Sequence, residues 1–309
     1  MVRLILALIA IAAPVAAQSA QPPFTIVESG RPYWRLDDAV AAIGDREATI
    51  RIAPGVYGDC AVQDRGRVSF VAEQAGTAVF DGDICEDKAT LVLRGRGAVV
   101  DGLVFRNLRV PDGNGAGIRL ERGPLRVVNA TFRDSEEGIL TADDPDSEIS
   151  VDRSTFTGLG RCDRGMSCAH GIYVGHYGGL TVTRARFEWG RGGHYLKSRA
   201  ARIAVSDSSF DDSAGHLTNY MIDLPAGAVG TITRNIFVQG RDKENHSTFI
   251  AIAAEARENP SQGLAISGNN ASLAPGVTWP TVFVADWSHE PLAIGANALG
   301  QGIARFQQR

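Results

Sequence analysis

This chain is short of almost every motif by which chemistry is usually read from a sequence. It has no Walker loop, no dinucleotide fingerprint, no Gly-x-Ser-x-Gly elbow and no His-Glu-x-x-His pair, which argues against nucleotide and zinc-protease chemistry. Its four cysteines include no Cys-x-x-Cys, so a metal site built on them is disfavoured. A net charge of −4 gives no general attraction for nucleic acid or anionic membrane, and any cationic site must be local. Aromatic residues make up only 7%, an argument against a dedicated sugar-stacking surface. Beyond the N-terminus no apolar stretch approaches the length of a membrane span. What the chain does have is 44% hydrophobic against 21% charged residues, enough for a folded core, and a repeat.

The repeat is a β-branched residue, four variable positions and then phenylalanine: Val100/Phe105, Val127/Phe132, Val151/Phe156, Val182/Phe187, Val205/Phe210 and Ile232/Phe237. The phenylalanines are 27, 24, 31, 23 and 27 residues apart. A further apolar residue stands two positions earlier at Leu125, Ile149, Leu180, Ile203 and Ala98, and only Gly230 breaks that column. Apolar residues at i and i+2 define one face of a strand, and a phenylalanine after a short polar break means that the chain has turned a corner and pointed inward again. A unit this short cannot bury a core alone, so units must stack. The pattern predicts an all-β right-handed parallel β-helix running as one elongated domain.

Residues 1–17 carry Arg3, an apolar run over 4–13, Pro14 and the small residues Val15, Ala16 and Ala17, the pattern of a secretory signal peptide with cleavage after Ala17. The expected location is periplasmic or extracellular, with no membrane span in the mature protein. Export favours disulfides, and of three possible connectivities the spacing favours Cys60–Cys85, about one coil apart, with Cys162–Cys168 closing a small loop. Residues 18–48 are read as a lead-in with a capping helix over 34–43, where Leu36, Ala39, Val40 and Ile43 have helical spacing and Gly44 is the stop. Residues 49–309 are read as the β-helix domain with an irregular C-terminal closure, because the phenylalanine repeat is lost after 274. Insertions at 143–148 and 158–169 are expected to wall a groove.

Strands upstream of each repeat unit carry the candidate chemistry. In Gly117-Ile118-Arg119-Leu120-Glu121, Gly138-Ile139-Leu140-Thr141, His170-Gly171-Ile172-Tyr173-Val174, His194-Tyr195-Leu196-Lys197-Ser198-Arg199, Met221-Ile222-Asp223-Leu224 and the segment ending at Glu255, inward aliphatic residues leave a set pointing out. That set is Arg119, Glu121, Tyr173, Tyr195, Lys197, Asp223 and Glu255, with His170 and His194 at the strand entrances. Each alone has an ordinary structural explanation. Their co-location on consecutive coils about 4.8 Å apart singles them out, since His, Tyr and Asp can move protons and Lys197 and Arg199 can pair with an anion. Asp143, Asp144 and Asp146 form an acidic loop, but calcium-loop spacing and its glycine are missing, so a solvated loop is expected and no cofactor is implied.

On this repeat, on the first-coil sequence Ile50-Arg51-Ile52-Ala53-Pro54-Gly55-Val56-Tyr57, and on Asn114-Gly115-Ala116-Gly117-Ile118-Arg119, His170-Gly171-Ile172-Tyr173-Val174-Gly175 and His194-Tyr195-Leu196-Lys197-Ser198-Arg199-Ala200, the chain resembles the pectate-lyase-like right-handed β-helix superfamily, in particular its uncharacterised exported bacterial members. The resemblance covers roughly residues 50–271 and implies a carbohydrate substrate, because the superfamily holds polysaccharide lyases, pectin esterases, polygalacturonase-type hydrolases and alginate epimerases. The Asp clusters by which pectate lyases bind calcium and the paired Asp motifs of polygalacturonases are absent, so neither residue set carries over.

The leading expectation is therefore a lyase acting on a uronic-acid-containing polysaccharide or another acidic cell-envelope glycan. Lys197, Arg199 or Arg119 would neutralise the uronate carboxylate, His170 or His194 would take the proton, Tyr173 or Tyr195 would protonate the leaving oxygen, and Asp223 would orient a histidine or lysine. A glycoside hydrolase using Asp223 with Glu255 or Glu121, and a non-catalytic glycan-binding or envelope scaffold protein, are the alternatives. A capped solenoid is expected to be monomeric.

Overall fold

The computed structural model describes residues 21–163 and 165–309; the signal-peptide assignment to 1–17 lies outside the described residues. The chain winds into a right-handed parallel β-helix whose three faces are long parallel sheets. The second and third sheets have ten strands each, and the first has twelve. Each coil contributes one strand to each sheet, as in Leu125–Val128, Thr131–Arg133 and Glu137–Thr141.

The repeat maps directly onto register. Val100, Val127, Val151, Val182, Val205 and Ile232 are paired in turn along the first sheet. Phe105, Phe132, Phe156, Phe187, Phe210 and Phe237 are paired along the second. Their rings stack through the interior with centroids 4.6 to 5.0 Å apart. Parallel strands one coil apart place identical side chains at nearly the stacking distance of two rings, so the ladder follows from repeating one residue type per coil.

The polar break between the two columns is a fixed corner. Its central residue has positive φ on successive coils, at Asn129, Arg153, Arg184, Asp207 and Arg234. The residue that follows packs inward, and where it is polar it joins a ladder: Asn269 Oδ1 accepts from the Asn235 backbone N at 2.9 Å, and Asn297 Oδ1 from that of Asn269 at 3.0 Å. These side chains satisfy backbone donors that a buried corner would otherwise leave unpaired.

At the N-terminal end the helix Leu36–Ile43 buries Leu36, Ala39, Val40 and Ile43 against the first coil. The lead-in also holds a hairpin that the sequence reading missed. Phe24–Ile26 pairs antiparallel with both Arg31–Tyr33 and Glu47–Ile52, which closes the edge of the first sheet. At the other end the expected irregular closure is a further coil, with short strands Ala293–Ile294 and Ala298–Leu299 and then Ile303–Gln308. It lacks the phenylalanine signature because Leu299 stands in the second-sheet strand beyond Ala271. The disulfides are Cys60–Cys85 and Cys162–Cys168.

The third sheet positions the candidate site. Arg119, Leu140, Tyr173, Lys197, Asp223 and Ala251 are consecutive partners across it. The Cys162–Cys168 loop precedes the strand Ile172–Val174 and is fastened by buried Arg161, which donates to Gly113 O at 2.8 Å and Ser167 O at 3.0 Å. The insertion at 143–148 is not a free loop. It is drawn into the strand Asp144–Asp152 as a bulge, with Asp144 facing Tyr177 and Glu148 facing Gly179.

Candidate active site on the third sheet

Two columns of side chains stand on the outer face of the third sheet. In one, the rings of His170 and His194 stack at 5.0 Å and His194 meets Tyr220 at 5.4 Å. In the other, Lys197 Nζ lies 5.5 Å from the centre of the Tyr173 ring, with Asp223 one coil further on. The columns touch: His194 Nε2 is 3.4 Å from Asp223 Oδ2, and His170 meets Tyr173 edge to face at 5.3 Å. Lys197 Nζ is 3.5 Å from Asp223 Oδ2 and donates to Glu255 Oε1 at 2.6 Å. Arg199 donates from Nε to the Tyr173 hydroxyl at 3.1 Å, and its guanidinium also pairs with Glu255.

Most of this cluster is withdrawn from solvent. His170, His194, Lys197 and Asp223 are 5%, 9%, 8% and 2% exposed, an unusual density of titratable side chains for the outer face of a sheet. Burial pushes Asp223 up to about 6, with Lys197 opposing the rise and Glu255 adding to it. Burial, followed by the nearby positive charges of Lys197 and Arg161, pushes His170 down to about 3. His194 is lowered for the same first reason. Burial works against an ionised Glu255 too, but its pairing with Lys197 and Arg199 holds its carboxyl below the usual range. The site at neutral pH is thus two uncharged imidazoles, two cations and two carboxylates whose proton affinities have been driven apart.

The His194 backbone N donates to His170 Nδ1 at 3.0 Å, so neutral His170 carries its proton on Nε2. Among the described residues, His194 Nδ1, Asp223 Oδ1, Arg119 Nε and Glu137 Oε2 are buried with no hydrogen-bond partner. Buried polar atoms are normally satisfied, and four orphans on one sheet face mark a place where stability has been set aside. Glu137 belongs to the histidine column, one strand before His170, and burial raises its carboxyl well above the usual value.

The structure brings together His170, Tyr173, His194, Lys197, Arg199, Asp223 and Glu255. It corrects three positions. Tyr195 does not point outward: it is 4% exposed within the core, and its hydroxyl donates to Asp212 Oδ1 at 2.8 Å. The chain enters each third-sheet strand through a kink at which two successive residues face inward, here Tyr195 and Leu196, so simple alternation fails and His194 takes the outer position. At the matching position in earlier coils the interior has room only for glycine, since a Cβ on Gly117 would lie 2.6 Å from the Phe132 ring. Glu255 lies past the end of the strand Thr248–Ile252, on the turn leading to the next coil, and reaches back to the cations. Glu121 is elsewhere, paired with Lys88 at 2.7 Å and with Arg94 near the N-terminal end.

Arg119 shares the column of Tyr173 and Lys197 but stands two strands before Tyr173, with Leu140 between. The sequence reading missed Tyr220 and Glu137, and the signal for Tyr220 was available. It directly precedes Met221, as His170 precedes Gly171 and His194 precedes Tyr195, so aligning one residue earlier exposes the column. Among the described residues no group of three or more His, Cys, Asp or Glu side chains is placed to hold a metal, and in the acidic loop Asp143 is taken up by His176 while Asp144 Oδ2 accepts from the Gly123 backbone N at 2.7 Å. Nor, among the described residues, is any helix long and apolar enough to cross a membrane.

No protein-family model matches the chain, and no curated protein matches it in sequence. Solved structures do share its architecture. A protein of Geobacillus virus E2, ORF18, superposes with a TM-score of 0.57 at 12% identity over 88% of this chain, which spans 55% of that protein's length. Pectate lyase Pel9A gives 0.52 at 14% identity over 89% of this chain and 74% of its own. An alginate lyase from Paenibacillus sp. str. FPU-7 gives 0.52 at 13% identity over 88% and 94%. At such identities the likeness establishes the fold alone, a right-handed parallel β-helix.

Proposed function

We propose that the protein cleaves a uronic-acid-containing polysaccharide by β-elimination on the outer face of its third sheet. One observation carries the reading: a neutral, carboxylate-backed imidazole, a tyrosine hydroxyl and a pair of cations converge on three successive coils. The fold's resemblance to pectate and alginate lyases supports the choice of substrate class.

The roles follow from proton inventory. Lys197 and Arg199 pair with the uronate carboxylate and stabilise the charge that builds there as the neighbouring C–H bond breaks. His194, uncharged and set against Asp223, takes that proton. The electron pair forms the new C=C bond while the C–O bond to the leaving sugar breaks. The Tyr173 hydroxyl accepts from Arg199 and so keeps its own proton free to protonate the departing oxygen. His170 is a positioning residue, held beneath His194 by ring stacking and by the His194 N–H.

A second reading has its own support. Asp223, lifted to about 6, and Glu255, held low, both contact the Lys197 ammonium, which is the acid-and-carboxylate pairing used in glycoside hydrolysis. Product chemistry separates the two. Elimination yields an unsaturated uronide that absorbs in the ultraviolet, whereas hydrolysis yields new reducing ends without that absorbance.

A further inference from the structure

The side chain of Glu255 is out of keeping with its partners. Lys197 and Arg199 rise from the sheet with side chains only 11% and 18% exposed, yet the carboxylate on which both converge is 46% exposed and comes from a turn 58 and 56 residues further along the chain. Lys197 keeps other support, from the face of the Tyr173 ring and from Asp223. Arg199 keeps the Tyr173 hydroxyl. The turn that carries Glu255 is fastened without the Glu255 side chain: Glu255 N and Ala256 N donate to Pro225 O at 3.0 and 2.9 Å, and the Asn259 side chain donates from Nδ2 to Arg199 O and Gly227 O at 3.1 Å each. A change of Glu255 rotamer therefore frees both cations without moving the turn, and the cations stay in place when it happens.

We propose that Lys197 and Arg199 form a carboxylate-binding subsite for a single uronate unit, and that Glu255 is its built-in occupant, displaced by the carboxylate of the ligand. The inference rests on the uronate reading above. Glu255 occupies the position from which one carboxylate reaches both cations, so a ligand carboxylate that pairs with both must displace it, and apparent affinity is reduced by the fraction of molecules in which that position is already filled. Glu255 then acts as a filter against neutral sugars, which offer no charge to exchange for it.

Isothermal titration of the full chain with D-galacturonate and D-glucuronate, with methyl galactoside as the uncharged control, tests this directly. Glu255→Gln keeps the shape and a neutral acceptor while removing the competing charge, and it is expected to bind at least one uronate about tenfold more tightly, as for a cradle filled nine-tenths of the time. Methyl galactoside binding should not change, and Arg199→Ala in the Glu255→Gln background should abolish the gain. Uronate binding that is absent, unchanged or weaker in Glu255→Gln overturns the proposal. Wild-type protein gives a second measurement independent of the variant's folding: the Glu255 carboxyl, followed by carbon-13 NMR, should return toward its ordinary pKa at saturating galacturonate, and one that stays depressed also overturns it. Tight uronate binding by Glu255→Gln without unsaturated product from any polymer leaves the subsite standing and refutes elimination instead.

Discussion

Replacing Asp223 by asparagine should make the protein more stable and less capable. The carboxyl is almost wholly buried, and burial lifts it from 3.8 to about 6. Between those values the folded chain keeps a proton that the unfolded chain has lost, so stability falls as pH rises through the window and the penalty is complete above it. At ~1.4 kcal/mol per pH unit the full penalty is at most about 3 kcal/mol. Asparagine removes the ionisation while Lys197 retains Glu255 at 2.6 Å, so the expected gain at about pH 7.5 is roughly 1–3 kcal/mol, vanishing near pH 4. Urea midpoints of wild type and Asp223→Asn at the two pH values, with disulfides intact, give the difference directly, and turnover should be lost in the variant. A variant less stable than wild type at the higher pH and equal to it at the lower would refute the reasoning. It would mean that ionised Asp223 is a stabilising partner of Lys197 rather than a group held at a cost for function.

Further outcomes follow from the same structure. Neutral His170, pushed from 6.5 down to about 3, contributes stability that is fully present above about pH 6.5 and is lost progressively as pH falls below 6.5 toward about 3, so His170→Gln should flatten the acid side of the urea-midpoint profile, and an unchanged slope would contradict its burial as a neutral imidazole. Phe156, stacked at 4.9 Å on Phe132 and 4.8 Å on Phe187, should cost about 3–5 kcal/mol when cut to alanine, while uronate binding by the folded protein is unaffected. Trp189 is 61% exposed at a φ of 56°, where a bulky side chain is strained; Trp189→Gly should raise stability by about 1 kcal/mol in a thermal melt, and a clear fall would show that its indole is held by packing.

The fold was legible because it repeats. One valine and one phenylalanine per coil fixed two sheets and their register, and the third followed from the aliphatic pairs between them. Legibility failed where the backbone departs from strict alternation or acts across coils. The kink before each third-sheet strand turned Tyr195 into the core and hid Glu137 and Tyr220 as members of the column that His170 and His194, read at the strand entrances, belong to. Glu255 was read as part of a strand, but its contact with Lys197 is made by a turn two coils away, which no strand alignment shows. The N-terminal hairpin was missed because three-residue strands such as Phe24–Ile26 carry too few positions to show a period.

The central claim, elimination on the outer face of the third sheet, is met most directly by ultraviolet absorbance of the purified protein incubated with alginate, pectate, glucuronan and acidic exopolysaccharides, with Lys197→Ala and His194→Ala assayed in parallel. A rise in absorbance on at least one polymer, abolished by both substitutions in folded protein, is the predicted result. Wild-type protein that releases reducing ends without absorbance, or that gives neither signal on every polymer, would contradict it.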